Sequence, residues 1–274
     1  MEYSGVFVVA TPIGNLGDIS PRAVDVLANV DFIAAEDTRN TVKLLNHLGI
    51  KKELVAYHAH NIAAKSEYLI NRVKNGESFA LVSDAGTPAI SDPGEELIKK
   101  CHEEGIKVSP IPGPSAVITA LSASGMRTNR FTFEGFLSTC LNSRKEHLES
   151  LVNEKRTMVF YEAPHKLVKT LEDLYKYFGN RKLTLARELT KFYEEIDVTD
   201  LEGAINKYTE KAPLGEFVLI LEGKPDEEIL PDYDEAERIF NELVSSGMSK
   251  TEAVKETSKK TGLRKNDLYQ RFAK

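Results

Sequence analysis

The chain has 274 residues, 41% hydrophobic and 28% charged, which is enough apolar content for a sizeable core in one large or two ordinary α/β domains. A formal net charge of −6 argues against a surface that grips nucleic acid everywhere. Two cysteines, Cys101 and Cys140, exclude a disulfide framework, no apolar run is long enough to cross a membrane, and the acidic start at Met1-Glu2 lacks the basic region of a secretory signal, so a cytoplasmic protein is expected.

Gly5–Ala10 reads as a buried strand that stops at Thr11-Pro12-Ile13-Gly14. Ser20-Pro21 opens a helix, with Ser as cap and Pro at the first helical position. Asp31–Ala35 is a second strand, running into Glu36-Asp37-Thr38-Arg39 and a helix closed by Gly49. Phe79–Ser83 is a third strand that ends in Asp84-Ala85-Gly86-Thr87-Pro88. A helix over Gly94–Glu104 and a strand over Ile106–Ser109 lead to the turn Pro112-Gly113-Pro114-Ser115, which opens an apolar helix over Ala116–Ala123. This alternation predicts a largely parallel sheet covered on both faces.

After a break near 124–130, strands at Thr157–Tyr161, Leu183–Ala186 and Glu216–Leu221 repeat the style, with amphipathic helices between them. A polar linker from Glu222 leads to a small helical unit whose last two helices, separated by Gly262, have helix-turn-helix spacing. Three segments are expected: 1–124 and 125–224 as α/β domains, and 225–274 as an acidic linker with a basic helical tail. The tail is polarised: Pro225–Ser245 has eight acids against one Arg, and Ser246–Lys274 has eight Lys and Arg against three acids.

Ligands of open α/β sheets bind outside the carboxyl ends of the strands. That rule selects Thr11–Asp18, Glu36–Arg39, Ser83–Pro88 and Pro112–Ser115, all rich in Gly, Pro and small polar residues that let a ligand approach the backbone. G-x-G-x-x-G, a P-loop, H-E-x-x-H and G-x-S-x-G are all absent, which argues against a dinucleotide dehydrogenase, a P-loop ATPase or nucleotide hydrolase, a zinc protease and a serine esterase. His58-x-His60 has no third ligand at convincing spacing, so no metal is expected. Ala163-Pro164-His165-Lys166 and Arg187-Glu188-Leu189-Thr190-Lys191 each follow a predicted strand, where cations could meet a phosphodiester backbone.

Several blocks carry a family likeness: Thr11–Asp18, Glu36–Arg39, Tyr57–Asn61, the long Ser83–Gly94, Pro112–Ala116, Phe133–Leu137, Tyr161–His165 and Ala186–Lys191. Together they resemble the small-subunit ribosomal RNA cytidine 2′-O-methyltransferases of the tetrapyrrole methylase superfamily, over almost the whole chain. The resemblance implies two α/β domains with S-adenosylmethionine between them, a homodimer, a C-terminal helix-turn-helix, and small-subunit ribosomal RNA or the assembled 30S subunit as partner. It implies cofactor contacts from Pro12, Asp84, Thr87, Ser115 and Ala116 in the first domain, and from Tyr161, Leu189, Ala212 and Pro213 in the second. RNA contacts are expected from Arg39, His60, Arg144, His165 and Lys166, and in the tail from Lys259, Lys260, Arg264, Lys265 and Arg271. The chain departs from the family at Ser138–Asn142, at Lys166 in place of Arg, and at Leu214 in place of a basic residue.

A ribose hydroxyl is a poor nucleophile and needs a base, or a cation for its developing charge. Lys191 would serve with a pKa lowered by burial beside Arg187, and Glu188, Glu216 or Asp37 would serve as base or orient the ribose. Two other readings remain open at this stage. A tetrapyrrole or other small-molecule methyltransferase would have no use for the basic tail, and a helix-turn-helix regulator with a metabolite-sensing body would bind duplex DNA.

Overall fold

In the computed structural model, which describes residues 3–59, 62–225 and 232–273, short apolar runs build a first sheet from β1 (Val6–Val9), β2 (Phe32–Ala35), β3 (Glu53–Ala56), β4 (Phe79–Val82) and β5 (Val108–Ile111). The sheet is wholly parallel in the order β3-β2-β4-β1-β5. Alternate side chains serve opposite faces. Phe7, Val9, Ile33 and Val82 meet α1 (Pro21–Asn29) and α2 (Thr38–His47) through Val26, Leu27 and Leu45. Val6, Phe32, Phe79 and Leu81 meet α3 (Ile62–Lys74) and α4 (Glu95–Glu103) through Leu69, Ile70, Leu97 and Cys101. The expected alternation and two-sided cover are present; β3 was not expected from the sequence.

α5 (Ala116–Ala123) follows, and its Val117, Ala120 and Leu121 pack on the second sheet against Val159, Ala186, Val218 and Ile220. That sheet contains β6 (Phe131–Phe136), β7 (Thr157–Glu162), β8 (Lys182–Arg187), β9 (Glu195–Asp200) and β10 (Phe217–Leu221), in the order β6-β7-β10-β8-β9. Its other face is covered by α6 (Leu141–Leu151), α7 (Leu167–Phe178) and α8 (Leu201–Glu210), which contribute Leu148, Leu171, Leu174 and Ala204. Here the expected repetition of style is corrected. Only β6 and β7 pair in parallel; the other three pairings are antiparallel. The unexpected strand β9 causes the difference: it returns directly from β8 as a hairpin instead of crossing over through a helix, so that β10, which follows α8, runs antiparallel to β8 and β7.

By its internal contacts the chain divides into two units, Met1–Lys224, which holds both sheets, and Pro225–Lys274. The second unit contains α9 (Tyr233–Ser245), α10 (Lys250–Thr261) and α11 (Lys265–Phe272) around its own core of Ala236, Phe240, Ala253, Val254 and Leu268. Ser249 caps α10, and Gly262 closes it in the left-handed conformation at φ 73°. Among the described residues no helix is long and apolar enough to cross a membrane.

Candidate functional site

The carboxyl ends of β1, β4 and β5 face the ends of β7, β8 and the start of β10 across a cavity of about 430 Å³. Of the expected cofactor contacts, Asp84, Thr87, Ser115 and Ala116 line it from one side and Tyr161 and Leu189 from the other, together with the candidate base Glu216. Pro12 does not line it, although its neighbour Ile13 does, and Ala212 and Pro213 lie off it in the segment after α8. Asp92, Phe136 and Glu162 also line it and were not singled out from the sequence.

Backbone pairing draws the loops together. Thr11 and Gly86 exchange hydrogen bonds of 2.9 and 3.0 Å, and the Thr87 hydroxyl donates to the Pro114 carbonyl at 3.1 Å. Gly14 approaches the 189–191 turn so closely that a Cβ would lie 2.5 Å from Lys191 Cγ and 2.8 Å from Thr190 Oγ1. Among the described residues, those other than glycine with positive φ are Ala89 (68°), Ser91 (63°), Glu188 (49°) and Thr190 (65°), and all belong to the two loops that wall this cavity. Each is costly, Thr190 most of all because its Cβ is branched, and strain of this kind gathers where a loop must hold a ligand.

Charge at the rim differs from expectation. Lys191 Nζ donates to Glu188 Oε1 at 2.9 Å and to Glu216 Oε2 at 2.8 Å. Burial alone would lower its pKa, but the Glu216 and Glu188 carboxylates outweigh burial and raise it. The expected lowered pKa is therefore corrected: Lys191 is a held ammonium. Arg187 does not assist, since it pairs with Glu195 at 3.0 Å. Burial would push Glu188 up, yet Lys191 and the Glu216 N–H bring it down on balance. Asp37 caps α2 and chelates Arg39, whose hydrogen bonds hold its carboxyl at about 2, too acidic for a base, and it does not line the cavity. Tyr161 is pushed up to about 12 by burial and meets Phe133 and Phe136 at ring-centroid distances of 5.0 and 5.4 Å.

The expected RNA contacts divide. Arg39 is exposed beside Asp37, and His165 and Lys166 occupy the 3₁₀ turn that follows β7 next to the cavity wall. Lys259, Lys260, Arg264, Lys265 and Arg271 are exposed on the helical unit, where Lys259 pairs with Glu256 and Arg271 lies over the Tyr233 ring. His60 lies outside the described residues. Arg144 is a correction: it is 8% exposed, with Nε on Asp173 and Nη2 on Thr170, both at 2.8 Å, so it acts inside the protein rather than on phosphate. Among the described residues no group of His, Cys, Asp and Glu could hold a metal ion.

A family profile described as Tetrapyrrole (Corrin/Porphyrin) Methylases matches residues 5–204, and one for the RsmI C-terminal HTH domain matches residues 231–272. The chain is 48% identical to the Ribosomal RNA small subunit methyltransferase I of Synechocystis sp., covering 97% of this chain and 96% of that protein. It is 46% identical to the protein of that name from Escherichia coli O157:H7, covering 96% and 93%. In fold it is similar to the methyltransferase CobJ (TM-score 0.60, 20% identity, 80% of this chain and 94% of that one) and to diphthine synthase (TM-score 0.59, 17% identity, 79% and 89%). At 46–48% identity over nearly its full length to the first set, and with the architecture of the second, the chain belongs to the tetrapyrrole methylase family, among the ribosomal RNA small subunit methyltransferase I proteins, and is a methyltransferase.

Proposed function

We propose that the protein transfers the methyl group of S-adenosylmethionine to the ribose 2′-hydroxyl of a cytidine in small-subunit ribosomal RNA, free or in the 30S subunit, and does so as a homodimer. The names of its relatives support the RNA substrate. The observation that carries the donor is the cavity itself. It pairs aromatic and aliphatic walls (Phe136, Tyr161, Leu189) with the carboxylates of Asp84 and Glu162, a combination that fits an adenosine joined to a cationic sulfonium and an ammonium. The first amides of α5, at Ser115 and Ala116, would hold the donor's carboxylate. When bound, the donor supplies an electrophilic methyl carbon. The chain's own work is to align the acceptor, exclude water and stabilise charge developing on the hydroxyl oxygen, for which the Lys191 ammonium, bonded to the cavity-lining Glu216, is at hand. The test is incubation with methyl-labelled donor and small subunits that lack the modification. Label in one ribose that resists alkaline cleavage is the expected product; label only in an added tetrapyrrole would overturn the reading.

Phe192 and Tyr193 extend from the same turn, 94% and 69% exposed, edge to face at 5.0 Å. Large exposed rings on this turn suit stacking with unpaired bases, at about 1–3 kcal/mol per base. Changing both to Ala should lower RNA affinity by at least tenfold and leave Tm unchanged, since neither ring is in the core. In the helical unit, Lys260→Gln, Arg264→Gln and Lys265→Gln together should reduce the slope of log K against log salt by about 2, at roughly 0.7 per single-strand phosphate. Donor affinity, measured by calorimetry, should not change.

A further inference from the structure

We propose that Asp92 is the general base that takes the proton of the methylated hydroxyl; this rests on the ribose-methylation reading above. The other carboxylates at the cavity are engaged or exposed. Glu162 accepts from the Ala163 N–H at 2.9 Å with one oxygen and from the Thr170 hydroxyl at 2.5 Å with the other. Glu216 is bonded to Lys191, and its side chain is 81% exposed. Glu188 Oε1 receives both Lys191 Nζ and the Glu216 N–H, at 2.9 and 3.0 Å. Asp84 is exposed at the rim. Asp92 lines the cavity, is half-buried, and forms no ion pair among the described residues.

The fold holds Asp92 in place at the expense of local backbone strain. Ala89 and Ser91 both take positive φ, which turns the chain between β4 and α4 so that Asp92 follows directly into the cavity wall. The groups that face it come from three strands. They are Ser83 and Asp84 after β4, Glu36 after β2 and Tyr161 at the end of β7. Only the Ser83 hydroxyl favours the charged carboxylate. Burial, joined by Asp84, pushes Asp92 above the ordinary carboxylate range, and burial does the same to Glu36 beside it. A carboxylate with raised proton affinity and no cation partner is matched to a base's task.

In the step, the ribose O–H bond breaks and its proton passes to an Asp92 oxygen. The electron pair left on the ribose oxygen forms the new bond to the methyl carbon. The carbon–sulfur bond breaks with its pair retained by sulfur, which leaves as a neutral thioether, and Asp92 later returns its proton to water.

Asp92→Asn tests this in the full-length protein. Single-turnover methylation of small subunits should fall by about 10²–10⁴-fold. The acid limb of the wild-type pH–rate profile should disappear, and the calorimetric donor Kd should stay within threefold. A second readout needs no turnover. Because the folded-state pKa of Asp92 is raised, its charged form opposes folding at neutral pH, and this opposition fades as pH falls and Asp92 becomes protonated. The Asn variant should therefore have a higher Tm near pH 7.5, with the gain vanishing toward pH 4. An active wild type with an Asn variant that keeps its rate and pH profile overturns the assignment of Asp92 alone. An Asn variant that loses tenfold or more in donor Kd at unchanged rate also overturns it, by making Asp92 a donor anchor. A wild type that leaves ribose unmethylated overturns the underlying reading, and this proposal with it.

Discussion

Arg144→Met is expected to destabilise the two-sheet unit by about 3 kcal/mol, because it removes a buried guanidinium and strands the half-buried Asp173 carboxylate. Arg144 is spent on Asp173 and Thr170, and the same Thr170 hydroxyl donates to Glu162 at the cavity wall. Without the guanidinium, Asp173 keeps only a long contact of 3.4 Å to the exposed Lys169. For a unit of this size that corresponds to a fall in Tm of roughly 6–12 °C. Donor affinity should weaken as well, since Glu162 loses the support of a fixed Thr170. The salt dependence of RNA binding should stay as in the wild type, because Arg144 does not reach the surface. An unchanged Tm with a shallower salt slope would return Arg144 to the role first expected of it.

Gly215→Ala should be nearly as damaging. Gly215 takes φ +85°, and a Cβ there would lie 2.4 Å from Glu188 Cγ, itself on a residue at positive φ. A left-handed alanine costs about 1–2 kcal/mol, and the overlap adds about 1–3. Relief requires Glu188 to move, which would break both its bond to Lys191 and its bond from the Glu216 N–H. The expected result is a loss of about 2–5 kcal/mol in urea unfolding, with the methylation rate falling further than the folded fraction does. A variant that loses stability and rate in equal proportion would make the turn merely structural.

In the first sheet β1, β2 and β4 were legible because each is a short apolar run ended by Gly, Pro or a small polar turn, whereas β3, which opens on an exposed Glu53, was not. β6 and β9 were not, for different reasons. Phe131–Phe136 has the alternation of a strand but sits after a segment read as a break, and Glu195–Asp200 alternates Ile and Val with acids, as a charged edge strand does. The segments that bring Asp84, Thr87 and Ser115 to the cavity were legible from one rule, that ligands gather at strand ends, while their assignment as donor contacts came from the family resemblance. Asp92 and Glu162 were not, since what distinguishes them is burial and the partners they have or lack. Lys191 was placed at the site but given the wrong charge logic, because Glu216, brought beside it by β10, is 25 positions away.

The pairing of β1 has a consequence for how the chain assembles. β1 lies between β4 and β5, with Val6 opposite Phe79 on one side and Val9 opposite Ile111 on the other, so this strand has no neighbour until the chain has been synthesised through β4. Parallel pairings of such separation form late, whereas the β8–β9 hairpin closes locally. Pulse-labelled amide exchange during refolding should protect Leu183–Ala186 before Val6–Val9, and the exposed apolar edge of β1 is where a nascent chain would need shielding from aggregation.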